Sequence, residues 1–168
     1  DAGYAEVSFE LNDDRASIEN YVESIAGNND FFINGDIQIA DTTLNVTIDS
    51  LLIGNQSYQW QNTGSPALTY YADERLEFQN FEFQNEEESL NFDGIFSDQP
   101  SDSVNYNIRN VDLARISELL NGQINFSGIL NAAFTTKALS SIPNIQGELD
   151  IETFSIDERV VGDVEIIS

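Results

Sequence analysis

Apolar and polar residues alternate along most of this chain, and no other feature restricts its fold as tightly. Val7, Phe9 and Leu11 alternate with Ser8 and Glu10. Ile37 and Ile39 follow the same rule, then Leu44, Val46 and Ile48, Tyr58 and Trp60, Leu76 and Phe78, and Phe81 and Phe83. Leu90 and Phe92 continue it, with Val104, Tyr106 and Ile108, Ile124 and Phe126, Ile145, Leu149 and Ile151, and finally Val164 and Ile166. Successive side chains of a strand point to opposite faces, so each segment has one apolar and one polar face. Strands of a parallel sheet covered on both sides would be apolar throughout. The pattern therefore predicts antiparallel meanders with one face wet. Parity changes between Phe78 and Phe81, which predicts a tight turn or a bulge at Gln79-Asn80.

Two stretches depart from period two. In 17–27, Ile18, Tyr21, Val22 and Ile25 form a helical stripe, with Gly27 as a stop. In 112–122, Leu113, Ile116, Leu119 and Leu120 do the same, with Asp112 as cap and Gly122 as stop. Two short amphipathic helices are expected. Each would follow an alternating strand and precede another, so pseudo-repeat units begin near residues 7 and 104. The whole of 1–168 then reads as one β-rich fragment of a repeat array. The start at Asp1 rather than Met fits a processed or excised piece.

Chemistry is harder to find. With no His and no Cys, zinc spacing and Ser–His–acid arrangements are excluded. Gly-rich phosphate loops and the EF-hand pattern do not occur. Carboxylate pairs are the one catalytic option left, but 30 acidic residues make chance pairs unavoidable. Glu86-Glu87-Glu88 reads as a solvated charged loop between Phe83 and Leu90. A calcium site around Asp98 and Asp102 is unspecific. The chain is not expected to be an enzyme, and no cofactor or metal is expected. Tyr58 and Trp60 share a strand face. They are expected in the core, the alternative being an exposed sugar-stacking platform.

The net charge is −24, and the 6 basic residues are scattered. Nucleic-acid binding needs a clustered basic surface and is excluded as an expectation. Docking flat on anionic lipid headgroups is disfavoured for the same reason. A self-repelling wet surface, with adaptation to high salt as an added reason, accounts for the charge. What remains is the apolar face. It has to be covered by a second sheet, by the helices or by an apolar ligand, and periodicity does not choose among them.

The stretch VDLARISELLNGQINFSGILNA, followed by PNIQGELDIETFSIDERVVGDVEIIS, resembles the TamB translocation and assembly module family, within the wider AsmA-like group. That family repeats a short helix, Gly, a strand, a proline, then Gly–polar–Leu–polar–Ile and a return strand ending in Gly-Asp. Pro143, Gly147, Leu149 and Ile151 match the first return, and Gly162, Asp163, Val164 and Ile166 the second. LEFQNFEFQNEEESLNFDGIFS is similar to its Phe- and Gly-containing strand pairs. The likeness is clearest over 76–168 and weaker over 7–39.

The resemblance implies a mainly β fold: a curled antiparallel sheet forming an open, taco-like groove, with a sandwich-like closure as the other outcome. It implies a periplasmic segment of a protein anchored in the inner membrane outside this stretch. Such a segment would carry phospholipid acyl chains toward the outer membrane, with TamA, a BamA-like barrel, as partner of the full-length protein. The family works through a surface, so no catalytic motif transfers. The groove lining would be Ile37, Ile39, Leu44, Val46, Leu76, Phe78, Phe81, Phe83, Leu90, Phe92, Val104, Tyr106, Ile108, Leu149 and Ile151. The rival reading is a closed β-sandwich that binds glycan or protein at a cell surface.

Overall fold

A computed structural model describes residues 5–12, 14–24, 29–55, 57–119, 124–138, 144–157 and 159–168. The strands are β1 (Ala5–Asn12), β2 (Arg15–Ser24), β3 (Asn29–Ile39), β4 (Thr43–Asn55), β5 (Tyr58–Asn62) and β6 (Ala67–Tyr71). They continue with β7 (Leu76–Asn85), β8 (Glu88–Phe96), β9 (Ser103–Asp112), β10 (Phe126–Lys137), β11 (Asn144–Ile156) and β12 (Arg159–Ile167). One helix, α1 (Leu113–Leu119), interrupts them. All strands join one antiparallel sheet of 12 strands in near-sequential order. β5 and β6 share one place in it. Both pair with β4 and β7, β5 at one end and β6 at the other. The break between them is closed by backbone bonds from Ile48 N to Pro66 O and from Thr63 N to Glu82 O.

The expected helix over 17–27 is not there. Residues 15–24 form β2, paired along its length with β1 and β3; Ile25 and Gly27 lie outside the described residues. Ile18 and Val22 are four apart, a spacing that suits one face of a strand as well as one face of a helix. β-branched and aromatic residues favour the strand, and a helix would leave the facing backbones of β1 and β3 unpaired. The strand–helix–strand unit is therefore present near residue 104 and not near residue 7. The second helix forms where expected. Asp112 Oδ1 accepts a hydrogen bond from Ala114 N at 2.9 Å, capping the first turn. Ser117 is buried; its Oγ accepts from Phe126 N at 2.9 Å and so ties α1 to the start of β10. Gly122 falls outside the described residues. Ile124 and Phe126 do not form one alternating strand, because β10 begins at Phe126 and Ile124 lies exposed before it.

Bulges give the sheet its shape. Register shifts by one residue between Phe78 and Phe81 of β7, as the sequence implies, with Asn80 at φ 55°. The same device recurs at Asn110 (φ 54°) in β9 and Thr153 (φ 50°) in β11. In each case the bulged amide donates to a side chain on the next strand: Asn80 N to Asp93 Oδ2, Asn110 N to Asn131 Oδ1, Thr153 N to Asp163 Oδ1, at 3.0, 2.9 and 2.9 Å. A fourth shift, in β4 opposite Asn34 and Gly35, has Leu51 N donating to Asn62 Oδ1 of β5 at 2.7 Å. Bulges bend the strand and raise the local twist. Gly94 and Gly147 lie in strand interiors at φ 133° and 152°, where a Cβ would overlap the carbonyl oxygens of Ser103 and Ala133. They let the neighbouring backbones approach closely.

Replacing Asp93 or Asp163 by Ala should cost about 0.5–1.5 kcal/mol each, the net worth of a hydrogen bond at an exposed site where water can take over the amide. Urea unfolding should show this as a lower midpoint, whereas Asp98→Ala, on an exposed connection, should leave the midpoint nearly unmoved.

Candidate functional site

Directly opposed residues of an antiparallel pair share a face, so register fixes which side each residue occupies. Ile39 faces Leu44, Ile37 faces Val46, and Leu68 links Val46 to Phe78. Tyr70 links Leu44 to Leu76 in the same way. Across the next strands Phe83 faces Leu90, Phe81 faces Phe92, Leu90 faces Ile108 and Phe92 faces Tyr106. Gly94 joins Phe78 to Val104, and Ala132 and Leu130 carry the row on to Leu149 and Ile151. All fifteen residues named from the sequence as lining positions therefore lie on one face. The bulges make this so: each inserts one residue and leaves the apolar set where it was.

That face is buried in the middle and open toward its ends. Val104 is 1% exposed, and Phe81, Phe83 and Ala132 are also buried. No second sheet covers them among the described residues, and the one helix packs over β10. Burial on a nearly bare face requires that the sheet curl and its side chains converge. The chain exposes 10857 Å², against roughly 8300 Å² for a compact monomer of this mass. Ile145 and Ile166, toward the β12 edge, are more than half exposed, as is Ile39 at the β3–β4 turn. An aromatic row runs across the buried centre. Phe81 stacks on Phe92 at 4.7 Å between ring centroids, Phe92 on Tyr106 at 6.2 Å, and Tyr106 on Phe134 at 4.6 Å.

Where α1 meets the sheet there is a cleft of about 380 Å³ lined wholly by apolar side chains, among them Ile53, Trp60, Leu113, Ile116 and Leu130. Of the helical stripe, Leu113 and Ile116 face this cleft; Leu120 lies outside the described residues. Tyr58 and Trp60 are 5% and 8% exposed and pack edge to face, so neither offers a sugar platform. Tyr70 is 44% exposed while Tyr71 turns to the polar face and bonds Glu77. The Tyr71 hydroxyl, helped by the Gln79 amide, holds the Glu77 carboxyl below its ordinary value.

One correction concerns the acidic run. Glu86 and Glu87 are exposed in the β7–β8 turn, but Glu88 is 7% exposed and starts β8 on the apolar face. Its Oε1 accepts from Asp112 N at 2.9 Å, while Oε2 closes no hydrogen bond. The signal was in the sequence: Glu88 has the parity of Leu90 and Phe92. Asp98 and Asp102 lie on the β8–β9 connection. Asp102 accepts from the Ser97 and Ser101 hydroxyls, and Asp98 from Gln99 Nε2. No group of acidic residues with metal-binding geometry occurs among the described residues. Arg115 lies 5.3 Å from the Tyr58 ring centroid and 3.7 Å from Glu86.

Comparison with protein-family profiles, characterised proteins and solved structures finds no match to this chain.

Burial first, and the Glu88 carboxylate second, push the Tyr58 hydroxyl well above its ordinary value. A raised folded pKa contributes stability below the unfolded value of about 10, and that contribution is lost as pH rises toward the folded value. Tyr58→Phe should therefore lose less stability than the parent between pH 10 and 12, read by chemical unfolding at stepped pH.

Proposed function

We propose that this chain is a segment of a lipid-conducting bridge, in which the apolar face carries phospholipid acyl chains past water. The observation that carries this reading is the single-face register of apolar residues from β3 to β12, without a covering sheet among the described residues. The path from β3 to β12 crosses eight inter-strand steps, about 38 Å at ~4.8 Å per step. That exceeds the ~15 Å of one leaflet's hydrocarbon, taken as half of a ~30 Å core, so several acyl chains could lie along it in succession. Each CH₂ held against the face is stabilised by about 0.8 kcal/mol relative to water.

The lack of hydrogen-bonding groups over most of the face supports sliding rather than fixed binding. The acidic opposite face supports keeping the sheet from stacking on others. The sequence resemblance to TamB and the AsmA-like group points the same way. On this reading the chain works in a bacterial periplasm between inner and outer membranes, in outer-membrane biogenesis, with TamA engaged by the full-length protein. A catalytic role has no residue constellation to rest on. The closed glycan-binding sandwich loses its main support, because Tyr58 and Trp60 are buried and the sheet is single.

Protein purified without detergent should yield phospholipid on organic extraction and mass spectrometry, at a stoichiometry above that of a matched acidic control protein. Phe92→Glu and Tyr106→Glu, each placing a charge in the middle of the face, should lower that yield at least severalfold while circular dichroism retains the strand signal. Lipid at background level in the parent chain would end the proposal.

A further inference from the structure

One stretch of the apolar face has a second wall. The floor of the cleft beneath α1 is sheet: Ile53 opposes Trp60, Phe83 opposes Leu90, Leu90 opposes Ile108, and Val111 opposes Leu130. The facing wall is Leu113 and Ile116 of α1. Phe83, Leu90 and Ile108 also belong to the single-face row, so the cleft is continuous with that face. α1 is the one helix among the described residues, and the rest of the face has no such helical wall.

No polar atom is exposed in the cleft. Other hollows of the sheet differ in kind. One is lined in part by Asn107, Arg109, Asn131, Glu148 and Asp150, another by Glu82, Asn91, Asp93 and Asn105. An ordered water needs about two to four polar partners, and the cleft offers none. A charged or hydroxyl-bearing head group inside it would lose hydration and gain no bond. A hydrocarbon gives up nothing of that kind. The cleft of about 380 Å³ has room for roughly a dozen groups of ~30 Å³ each. A single aliphatic side chain of a partner protein would fill only a fraction of that space and leave the lining atoms without contacts.

We propose that the cleft under α1 is a resting site for the tail of one alkyl or acyl chain, entered tail first, with the head group left outside. The site rests on the reading that this face takes apolar chains, and adds to it one position where a chain is held rather than passed along. On the open sheet a chain touches protein on one side and water on the other. Between α1 and the sheet both sides are covered, so each CH₂ loses more contact with water there. That gain ends where the cleft ends, which gives the site a preferred tail length.

Trp60 is the sole tryptophan of the chain, and its ring lines the cleft. The test follows its emission while the purified chain is titrated with n-alkyl maltosides from octyl to hexadecyl, each below its micelle concentration. Affinity should rise about fourfold per added CH₂, as for full burial. Beyond roughly a dozen carbons the rise should drop below about twofold per CH₂. Ile116→Asn, which puts an amide in the wall, should weaken dodecyl maltoside by about tenfold or more. Val161→Asn, on the exposed β12 edge, should change it by less than about twofold. If Ile116→Asn does not fold, the chain-length profile of the parent decides alone. A profile that climbs to hexadecyl without a break, with Ile116→Asn matching the parent, would overturn the inference and leave the groove reading standing. No emission change with any probe would overturn the inference as well, and the groove reading would then be judged on lipid extraction alone. A parent chain that dimerises in sedimentation, and loses the dimer on Ile116→Asn, would give the cleft to a second copy and overturn the inference.

Discussion

A strand has two faces, and one inserted residue exchanges them for everything that follows. This sheet depends on that exchange being cancelled wherever it begins. At Asn80, Asn110 and Thr153 the inserted residue takes a positive φ and is left out of the pairing, so Phe81 returns to the face of Phe78 and Val111 to that of Ile108. At each of these exposed bulges a side chain of the neighbouring strand, Asp93, Asn131 or Asp163, takes up the freed amide, worth about 0.5–1.5 kcal/mol net of water. The same bulges bend the sheet, and the bend is what buries Val104 and Phe81 with little above them.

Much of this was legible from alternation alone. Period two marked most of the strands and their antiparallel class, because those follow from local sequence and each segment votes independently, but it did not mark β2, β6 or most of β10. Asn80 was legible because Phe78 and Phe81 flank it with opposite parity. Thr153 shows the same break between Ile151 and Phe154, and Asn110 between Ile108 and Val111, but each sits beside charged or polar neighbours that blur the pattern. Residues 17–27 misled for a different reason. Ile18 and Val22 fit both periods, and the choice was made by the free edges of β1 and β3, which no local window contains. Asp112 did cap a helix as its type and position suggest, since capping is a local interaction.

Glu88 was hidden by its neighbours. In a run of three glutamates the first two occupy a turn and are solvated, and the third begins a strand on the apolar side. Composition treats the run as one object, while register separates it at the turn. Burial of Glu88 is tolerated because Oε1 holds the Asp112 amide, the same residue that starts α1. Cleft and helix thus share a support: the glutamate that interrupts the apolar face also holds the backbone from which the covering helix departs.

This arrangement bears on how a bare apolar face avoids collapse onto another copy. Its most hydrophobic part, the aromatic row of Phe81, Phe92, Tyr106 and Phe134, lies at the centre of the curl, where the side chains shield one another. Of the more open positions, Ile145, Ile166 and Ile39 are smaller aliphatic residues toward the ends, and Tyr70 is an aromatic one. Shielding at the centre leaves less continuous apolar surface for another copy to cover than the composition of the face alone would give.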